Sequence, residues 1–430
     1  MTDANATDYV PLATARQATD YQRDWVRGLR EQIKSGTEFA FVNADTPHEL
    51  FHIMGLPIVT NQWWSAVLSA KQLSEYYFDY METLGYHDRL AKYSSLPLIA
   101  ELEGDRERQP WGGLPVPAIL CARQSADDHQ RIFSLWAKQT GAPLFLFSAP
   151  AVPDPAPNWW QLARDDWETL YGTDRLDLME AELYDLVHQL EHITGRDFDP
   201  DAFARYMAAI NRQEELFDDV SQMLAQAPRC PIRIAEQIPN VMIPQWHRGS
   251  DWALRHAEAF RDEVKQRIED GVAVCPDESI RMMWVGAGLW FDTSFYAAFE
   301  ESHSAVFAWS MYLPFAADGY IRYDQGDPMR SLAARVVSMN EQLHQPPWVN
   351  SWLVEQARRY RIDVALMLIP RHDRFSGQGS LFSKQALEAA GITVIEIWSD
   401  MVDRREWDRE DMVKRVASVL DEVKAKKVLT

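Results

Sequence analysis

Two distant stretches of the chain share one layout, and this layout limits the fold more than any other feature. In residues 116–147 and again in residues 363–397, an apolar run is followed by a polar loop, a helical pattern, a glycine and a second apolar run. Uninterrupted apolar runs are typical of parallel strands that helices cover on both faces. The sequence therefore predicts an α/β protein with two Rossmann-like or flavodoxin-like domains, each built on a mainly parallel open sheet.

A helical region separates the two stretches. Residues Asp177–Gly195 and Pro200–Leu224 carry apolar side chains at helical spacing, and a proline-rich segment, Ser148–Pro157, marks a boundary before them. Near the start, a polar segment precedes a helical pattern from Tyr21 to Lys34. The predicted organisation is an N-terminal helical extension (1–36), a first α/β domain (37–157), a helical linker (158–230) and a second α/β domain (231–430).

Charge and composition exclude several classes of partner. The formal net charge of -21 disfavours nucleic acid, because phosphate binding needs clustered lysine and arginine, and it also disfavours an anionic membrane surface. No apolar run approaches the roughly 20 residues of a membrane span, and the first residues lack the layout of a signal peptide. The three cysteines do not make a disulfide framework. We therefore expect a cytoplasmic protein.

Four loops follow predicted strands, and a site is expected there because open parallel sheets bind ligands beyond the carboxyl ends of their strands. These loops are Asn43–Thr46, Ala122–Asp128, Ala287–Thr293 and Arg371–Gly379. The acids at the end of the second loop, Asp127 and Asp128, also fit a purely structural role at a helix N-terminus. The last loop begins with consecutive charged or titratable residues after a buried strand, which favours a functional role.

Aromatic residues are frequent, and a planar ligand is one explanation. Among the 17 tryptophans, Trp290 is the best placed for a pocket, because its loop follows a predicted strand. For the other tryptophan and tyrosine groups we expect the core or an interface. Sequence motifs add little: there is no phosphate-binding P-loop, no nucleophile elbow and no CxxC pair, and Phe291 replaces the third glycine of a dinucleotide-binding pattern.

Several segments carry the pattern of a known family. They are PHELFHIMGLPIV (Pro47–Val59), GAPLFLFSAP (Gly141–Pro150), the helical stretch Leu183–Asn211, the long stretch Met283–Ala334 and FSGQG (Phe375–Gly379). In their order and spacing they resemble the benzoyl-CoA reductase and 2-hydroxyacyl-CoA dehydratase family. The stretch Met283–Ala334 is most similar to the B-type subunit of ATP-dependent benzoyl-CoA reductases.

The resemblance implies a partner and a cofactor. In that family a homologous second subunit completes a heterodimer or heterotetramer, each subunit binds a [4Fe-4S] cluster through three cysteines, and an ATP-dependent activator delivers electrons. The family pattern places those cysteines at Ala126, at Val336 or Met339, and at His372, and none of these is Cys here. Because thiolates are the ordinary cluster ligands, we expect no cofactor and no metal in this chain, and any [4Fe-4S] cluster in the partner.

The resemblance further implies a subunit of a heterodimeric acyl-CoA-transforming enzyme that acts on an aryl- or arylalkyl-CoA thioester of coenzyme A by reduction, dehydration or hydration. Proton transfer would then fall to His372, Asp373 and His52. The expected substrate-binding residues are Trp290, Asp127, Arg371, Phe375 and Ser376. Two alternatives stay open: a non-catalytic scaffold for a cluster-bearing partner, and an iron–sulfur subunit with unusual ligands.

Overall fold

The computed structural model confirms the α/β fold, with two four-stranded parallel sheets surrounded by helices. For Asp127 and Leu429 it describes the backbone alone. The described residues are 9–87, 90–125, 127–150, 156–313, 321–338, 348–373, 377 and 379–429.

The first sheet has the strand order β2-β1-β3-β4, with all neighbours parallel. Its strands are β1 (Ala40–Val42), β2 (Ile58–Thr60), β3 (Ile119–Arg123) and β4 (Leu144–Phe147). Every residue of β1, β2 and β3 is buried, as expected for strands covered on both faces. The third strand begins later than the predicted Val116, because the flanking Pro115 and Pro117 have no N–H group for the sheet.

The second sheet repeats the topology of the first, with the order β6-β5-β7-β8 and all neighbours parallel. Its strands are β5 (Ile280–Val285), β6 (Ala305–Ser310), β7 (Val364–Ile369) and β8 (Thr393–Trp398). In both sheets the strand that comes second in the chain lies at one edge, followed by the first, third and fourth. This shared order confirms the duplication that the sequence layout predicted.

Helices pack on both sheets and fill the region between them. The described α-helices are α1 (Ala13–Lys34), α2 (His48–Ile53), α3 (Asn61–Ala70), α4 (Ser74–Thr83), α5 (Lys92–Glu103), α6 (Asp127–Thr140), α7 (Trp159–Asp165), α8 (Trp167–Tyr171), α9 (Thr173–Thr194), α10 (Pro200–Gln226), α11 (Ile234–Trp246), α12 (Asp251–Glu269), α13 (Glu300–His303), α14 (Pro328–Ser338), α15 (Trp348–Arg359), α16 (Ser380–Ala389) and α17 (Arg409–Leu429). Short 3₁₀ turns cover Pro110–Gly112, Thr293–Ala297 and Arg404–Glu406. Within the described ranges, no helix combines the length and the apolar character that crossing a membrane requires.

The two long predicted helices of the central region, α9 and α10, are confirmed and have clear end signals. The carboxylate of Asp199 accepts the backbone N–H groups of Asp201 and Ala202 and caps α10, with Pro200 at the first helical position. Gly195 adopts the left-handed conformation that ends α9. The first helix, in contrast, begins at Ala13 rather than at the predicted Tyr21.

Sequence reasoning did not identify the helices that pack beside the predicted linker. The helix α11 contacts α1 and α12, and α12 contacts α10. Two prolines inside α11, Pro239 and Pro244, interrupt its pattern, and Pro97 does the same in α5, because proline is ordinarily a sign that a helix ends. The limits of the predicted domains stay a prediction.

Candidate functional site

The first turn of α5 lies where loops of the two sheets meet. Lys92, its first residue, places Nζ 2.7 Å from Oδ2 of Asp403 and 2.7 Å from Oε1 of Glu406. Both carboxylates follow β8, so this contact joins the first half of the chain to the second. The side chains of Lys92 and Asp403 are 4% and 1% exposed, so little water screens the pair.

Opposing effects set the ionisation of this cluster. Burial alone would lower the pKa of Lys92, but its hydrogen bonds to Asp403 and Glu406 outweigh burial and raise the pKa. Burial would raise the pKa of Asp403, but hydrogen bonds from Arg405 and Lys92 lower it. Glu406 also lies 3.5 Å, through Oε1, from Nε2 of His372. Lys92 is therefore a buried cation, and Glu406 connects it to the loop after β7.

Asp400 is a second buried acid in the loop after β8. Its Oδ1 accepts the backbone N–H groups of Val402 at 2.8 Å and Asp403 at 3.0 Å. Burial raises the pKa of Asp400 to about 6, although these N–H groups and Lys92 oppose the shift. A carboxyl group with that pKa gains and loses its proton near neutral pH, which is the range that a general acid or base requires.

Aromatic rings form the other side of the site. Tyr93, the second residue of α5, stacks on Trp290 with 6.5 Å between ring centroids, and Tyr312 contacts Trp290 edge-on at 5.5 Å. The backbone N–H of Trp290 donates to the carbonyl of Met401 at 3.1 Å. Burial raises the pKa of the Tyr93 hydroxyl above its usual range, so this group stays protonated. The loops after β5, β6 and β8 thus meet at Trp290, which stacks on Tyr93.

The loop after β3 reaches the same turn of α5. His129, in the first turn of α6, has Nε2 2.8 Å from Oγ of Ser94 and Nδ1 3.3 Å from Oγ of Ser125. Ser94 follows Tyr93 directly in the chain. Loops of both sheets therefore converge on three consecutive residues, 92–94, as the rule for strand carboxyl ends predicts for a ligand site.

A groove of about 480 Å³ passes Tyr93 and Trp290. Its remaining walls are supplied mainly by Trp63, Ala66 and Val67 of α3 and by Ile238 and Met242 of α11. Within the described part of the chain, no residue that lines the groove carries a charge. Its volume lies within the roughly 300–1,000 Å³ that small-molecule pockets occupy.

His52 lies in a different place, beside a buried ion pair. The guanidinium of Arg248 donates to both carboxylate oxygens of Glu49, at 2.8 and 3.0 Å, and to Nδ1 of His48 at 2.9 Å. His52 follows one turn later, with Nδ1 2.8 Å from the hydroxyl of Tyr206. Burial, and then the charge of Arg248, lower the pKa of His52 to about 4, so it is neutral at pH 7. The structure therefore does not group His52 with His372, and its catalytic role stays a prediction without a supporting contact.

The other predicted site residues have mixed outcomes. Trp290 stacks on Tyr93 in the first turn of α5, and His372 is connected to Lys92 of that turn through Glu406. Arg371 is exposed, with its guanidinium 5.9 Å from the ring of Trp398, whereas Asp373 is buried. Three predictions fall outside the described parts of the chain, namely Phe375, Ser376 and the side chain of Asp127. The roles assigned to these residues stay predictions.

Sequence reasoning missed the residues at the centre of the site. The acids Asp400 and Asp403 follow an apolar strand, so the same strand-end rule applied to β8 would have found them. Lys92 and Tyr93 have no comparable signal, because they begin a helix that contains a proline and do not follow a strand. Only the tertiary fold brings them to the loops of both sheets.

Residues 43–423 of the chain match the family described as 2-hydroxyglutaryl-CoA dehydratase, D-component. The chain belongs to this dehydratase family. It is also similar to the (R)-phenyllactyl-CoA dehydratase alpha subunit of Clostridium sporogenes, with 20% identity over 262 residues, or 60% of each chain. The match thus spans less than two thirds of that relative. Both matches support the dehydratase part of the predicted resemblance, and neither supports a specific likeness to the B-type subunit of benzoyl-CoA reductases.

The residues of this dehydratase-family chain do not fit a [4Fe-4S] cluster held by three thiolates. Cys121 is fully buried within β3, and Cys230 and Cys275 are buried before β5, away from the carboxyl-end loops. Burial raises the pKa of all three thiols, which opposes the thiolate form that ligates iron. Across the residues with described placement, no three His, Cys, Asp or Glu side chains group as a metal site would require.

Proposed function

We propose that this chain is a subunit of an acyl-CoA dehydratase complex and that the site around residues 92–94 acts on a 2-hydroxyacyl-CoA thioester with an aryl or arylalkyl group. The observation that carries this proposal is the convergence of loops from both sheets on Lys92 and Tyr93, in a chain that matches the dehydratase family over residues 43–423. The phenyllactyl-CoA named for the relative supports the arylalkyl group.

Dehydration removes a hydroxyl group and a proton, so it needs side chains that accept and donate protons. The carboxylate of Glu406 lies between the Lys92 cation and the imidazole of His372. We assign to His372, whose imidazole lies 3.5 Å from the Glu406 carboxylate, the acceptance of the proton that the substrate gives up. Asp400, with its pKa of about 6, is a second group that exchanges a proton near neutral pH. Asp373 stays a proposed member of this group by its place beside His372.

The proposed complex contains a homologous second subunit, as a heterodimer or heterotetramer, and an ATP-dependent activator. The word "subunit" in the relative's name supports a multi-subunit complex. We place any [4Fe-4S] cluster in the second subunit, because the cysteines of this chain are buried away from the site. Reduction of an aryl-CoA, the reaction of the benzoyl-CoA reductases, is the alternative chemistry for the same site.

Turnover of phenyllactyl-CoA by the chain co-purified with its second subunit tests this proposal. We expect His372→Gln to lower turnover by roughly 100-fold or more, because it removes a general acid–base group, while acyl-CoA affinity measured by calorimetry changes little. His188→Gln, at an exposed position of α9, is the matched control and should keep full turnover. Full turnover in His372→Gln would contradict the proposal.

A non-catalytic scaffold is the second candidate function. It is favoured by the ion pairs that Asp403 makes with Lys92 and with Arg405, since such a network also holds distant parts of the chain together. The scaffold predicts that Lys92 variants lose stability while His372 variants keep the activity of the complex. The experiment on His372 therefore separates the two functions.

A further inference from the structure

We propose that the groove beside Tyr93 and Trp290 binds the acyl group of the substrate, and that this acyl group is uncharged and apolar. Such a substrate differs from 2-hydroxyglutaryl-CoA, the dicarboxylic thioester in the description of the family. This inference rests on the proposed function and deepens it, because it assigns the acyl group to one groove of the same site and excludes a charged acyl group there.

The walls of the groove favour a flat apolar group. Ala66 and Val67 of α3 and Ile238 and Met242 of α11 are half-buried residues that line it. Two stacked aromatic rings, described above, add flat surfaces, and aromatic ligands pack well against such rings. A phenyl group in the groove would therefore pack against apolar or aromatic side chains on several sides.

Two polar side chains of the groove already form hydrogen bonds within the protein. The hydroxyl of Thr19 donates to the carbonyl of Ala15 at 2.9 Å. Oε1 of Gln62 accepts the backbone N–H of Ala44 at 2.8 Å. Because none of the described lining residues is charged, the free carboxylate of a 2-hydroxyglutaryl group would lose water without gaining a cation, which is strongly unfavourable.

The groove also leads to the titratable part of the site. Tyr93, which lines it, directly follows Lys92 in the first turn of α5. Lys92 contacts Glu406, and Glu406 contacts His372. An acyl group that lies against Tyr93 therefore places the thioester end of the substrate beside the groups to which we assign proton transfer.

Calorimetric titration of the full chain with phenyllactyl-CoA, 2-hydroxyglutaryl-CoA and coenzyme A tests the inference. We expect phenyllactyl-CoA to bind about tenfold more tightly than 2-hydroxyglutaryl-CoA, since pocket contacts discriminate on that scale. Ala66→Trp fills the groove and should weaken phenyllactyl-CoA binding by roughly tenfold or more, with coenzyme A unchanged within about twofold. The matched control is Ala208→Trp, at an exposed position of α10, which should leave all affinities unchanged.

Two further variants keep the test decisive if Ala66→Trp does not fold by circular dichroism. Met242→Ala removes contacts from the opposite wall and should also weaken phenyllactyl-CoA binding, whereas Ala66→Arg adds a cation and should shift preference toward 2-hydroxyglutaryl-CoA. Equal affinity for both thioesters, or groove variants that fold and bind like the native chain, would overturn the inference and leave the proposed function standing. Absence of binding for every thioester would overturn both.

Discussion

Replacing Lys92 with methionine removes the cation that two carboxylates share. Asp403 keeps Arg405, with contacts of 2.8 to 3.1 Å, whereas the partner that Glu406 keeps among the described residues is His372, at 3.5 Å. Breaking a buried ion pair by removing one partner typically costs about 3–5 kcal/mol. Because Arg405 remains and Glu406 is 19% exposed, we expect the lower end, about 3 kcal/mol of unfolding free energy at pH 7.

The sign of the pH dependence of this stability loss follows from the ionisation of Asp403. Its pKa is lowered in the folded chain, so its contribution is present above the ordinary carboxyl pKa of about 4 and is lost as the pH falls through the folded value. Without Lys92 the Asp403 carboxyl accepts a proton more readily, so the stability deficit of Lys92→Met should keep its full size from pH 7 down to about 4 and narrow as the pH falls further.

Urea unfolding at pH 7 and at a pH below about 4, followed by circular dichroism, measures this deficit. The control is Lys384→Met, which removes a lysine that pairs with Glu396 at 2.7 Å on the surface; its free energy of unfolding should stay within experimental error, because exposed pairs contribute little. Native-like stability of Lys92→Met at pH 7, or a deficit that is equal at both pH values, would refute the reasoning.

Three further predictions concern buried groups and iron. Burial raises the pKa of Glu214 from 4.5 to about 7, although Arg335 and a hydrogen bond from Gln245 oppose the shift. The free energy of unfolding should therefore fall as the pH rises between those values. Glu214→Gln should flatten this slope in thermal unfolding, and an equally steep slope in the variant would contradict the prediction. Because the pKa of His52 is about 4, His52→Gln should leave the pH profile of turnover above pH 6 unchanged. Disappearance of a rise or fall in turnover above pH 6 in this variant would contradict the prediction. After anaerobic reconstitution with iron and sulfide, an iron assay should find far less than the roughly four iron atoms per chain of a cluster, whereas about four would show that the cysteines do bind one.

The duplicated sheet could be predicted because its strands are buried on both faces. Runs such as those of β5 and β7 are apolar at every position except Arg281, as is typical of strands in a parallel sheet that helices cover on both faces. The start of β3 was predicted too early, because the apolar run includes Val116 although its flanking prolines cannot join the sheet. The helix α11 was missed because its two prolines act locally as breaks, while packing against α1 keeps it helical.

The candidate site was only half predictable for a similar reason. Trp290 and His372 follow strands, so a rule about strand ends finds them. Lys92 is 311 residues from Asp403 in the chain, and no local pattern reports a contact over that separation. His52 was expected at the site by resemblance, yet its neighbours in the fold are Arg248 and Tyr206.

Hydrogen–deuterium exchange of the full chain with and without phenyllactyl-CoA tests most directly whether the acyl-CoA binds where the two sheets meet. The account predicts that the thioester slows exchange in peptides from all three parts of the site: residues 92–95, residues 287–293 and residues 399–406. Protection confined to one domain, or to peptides outside these segments, would contradict it.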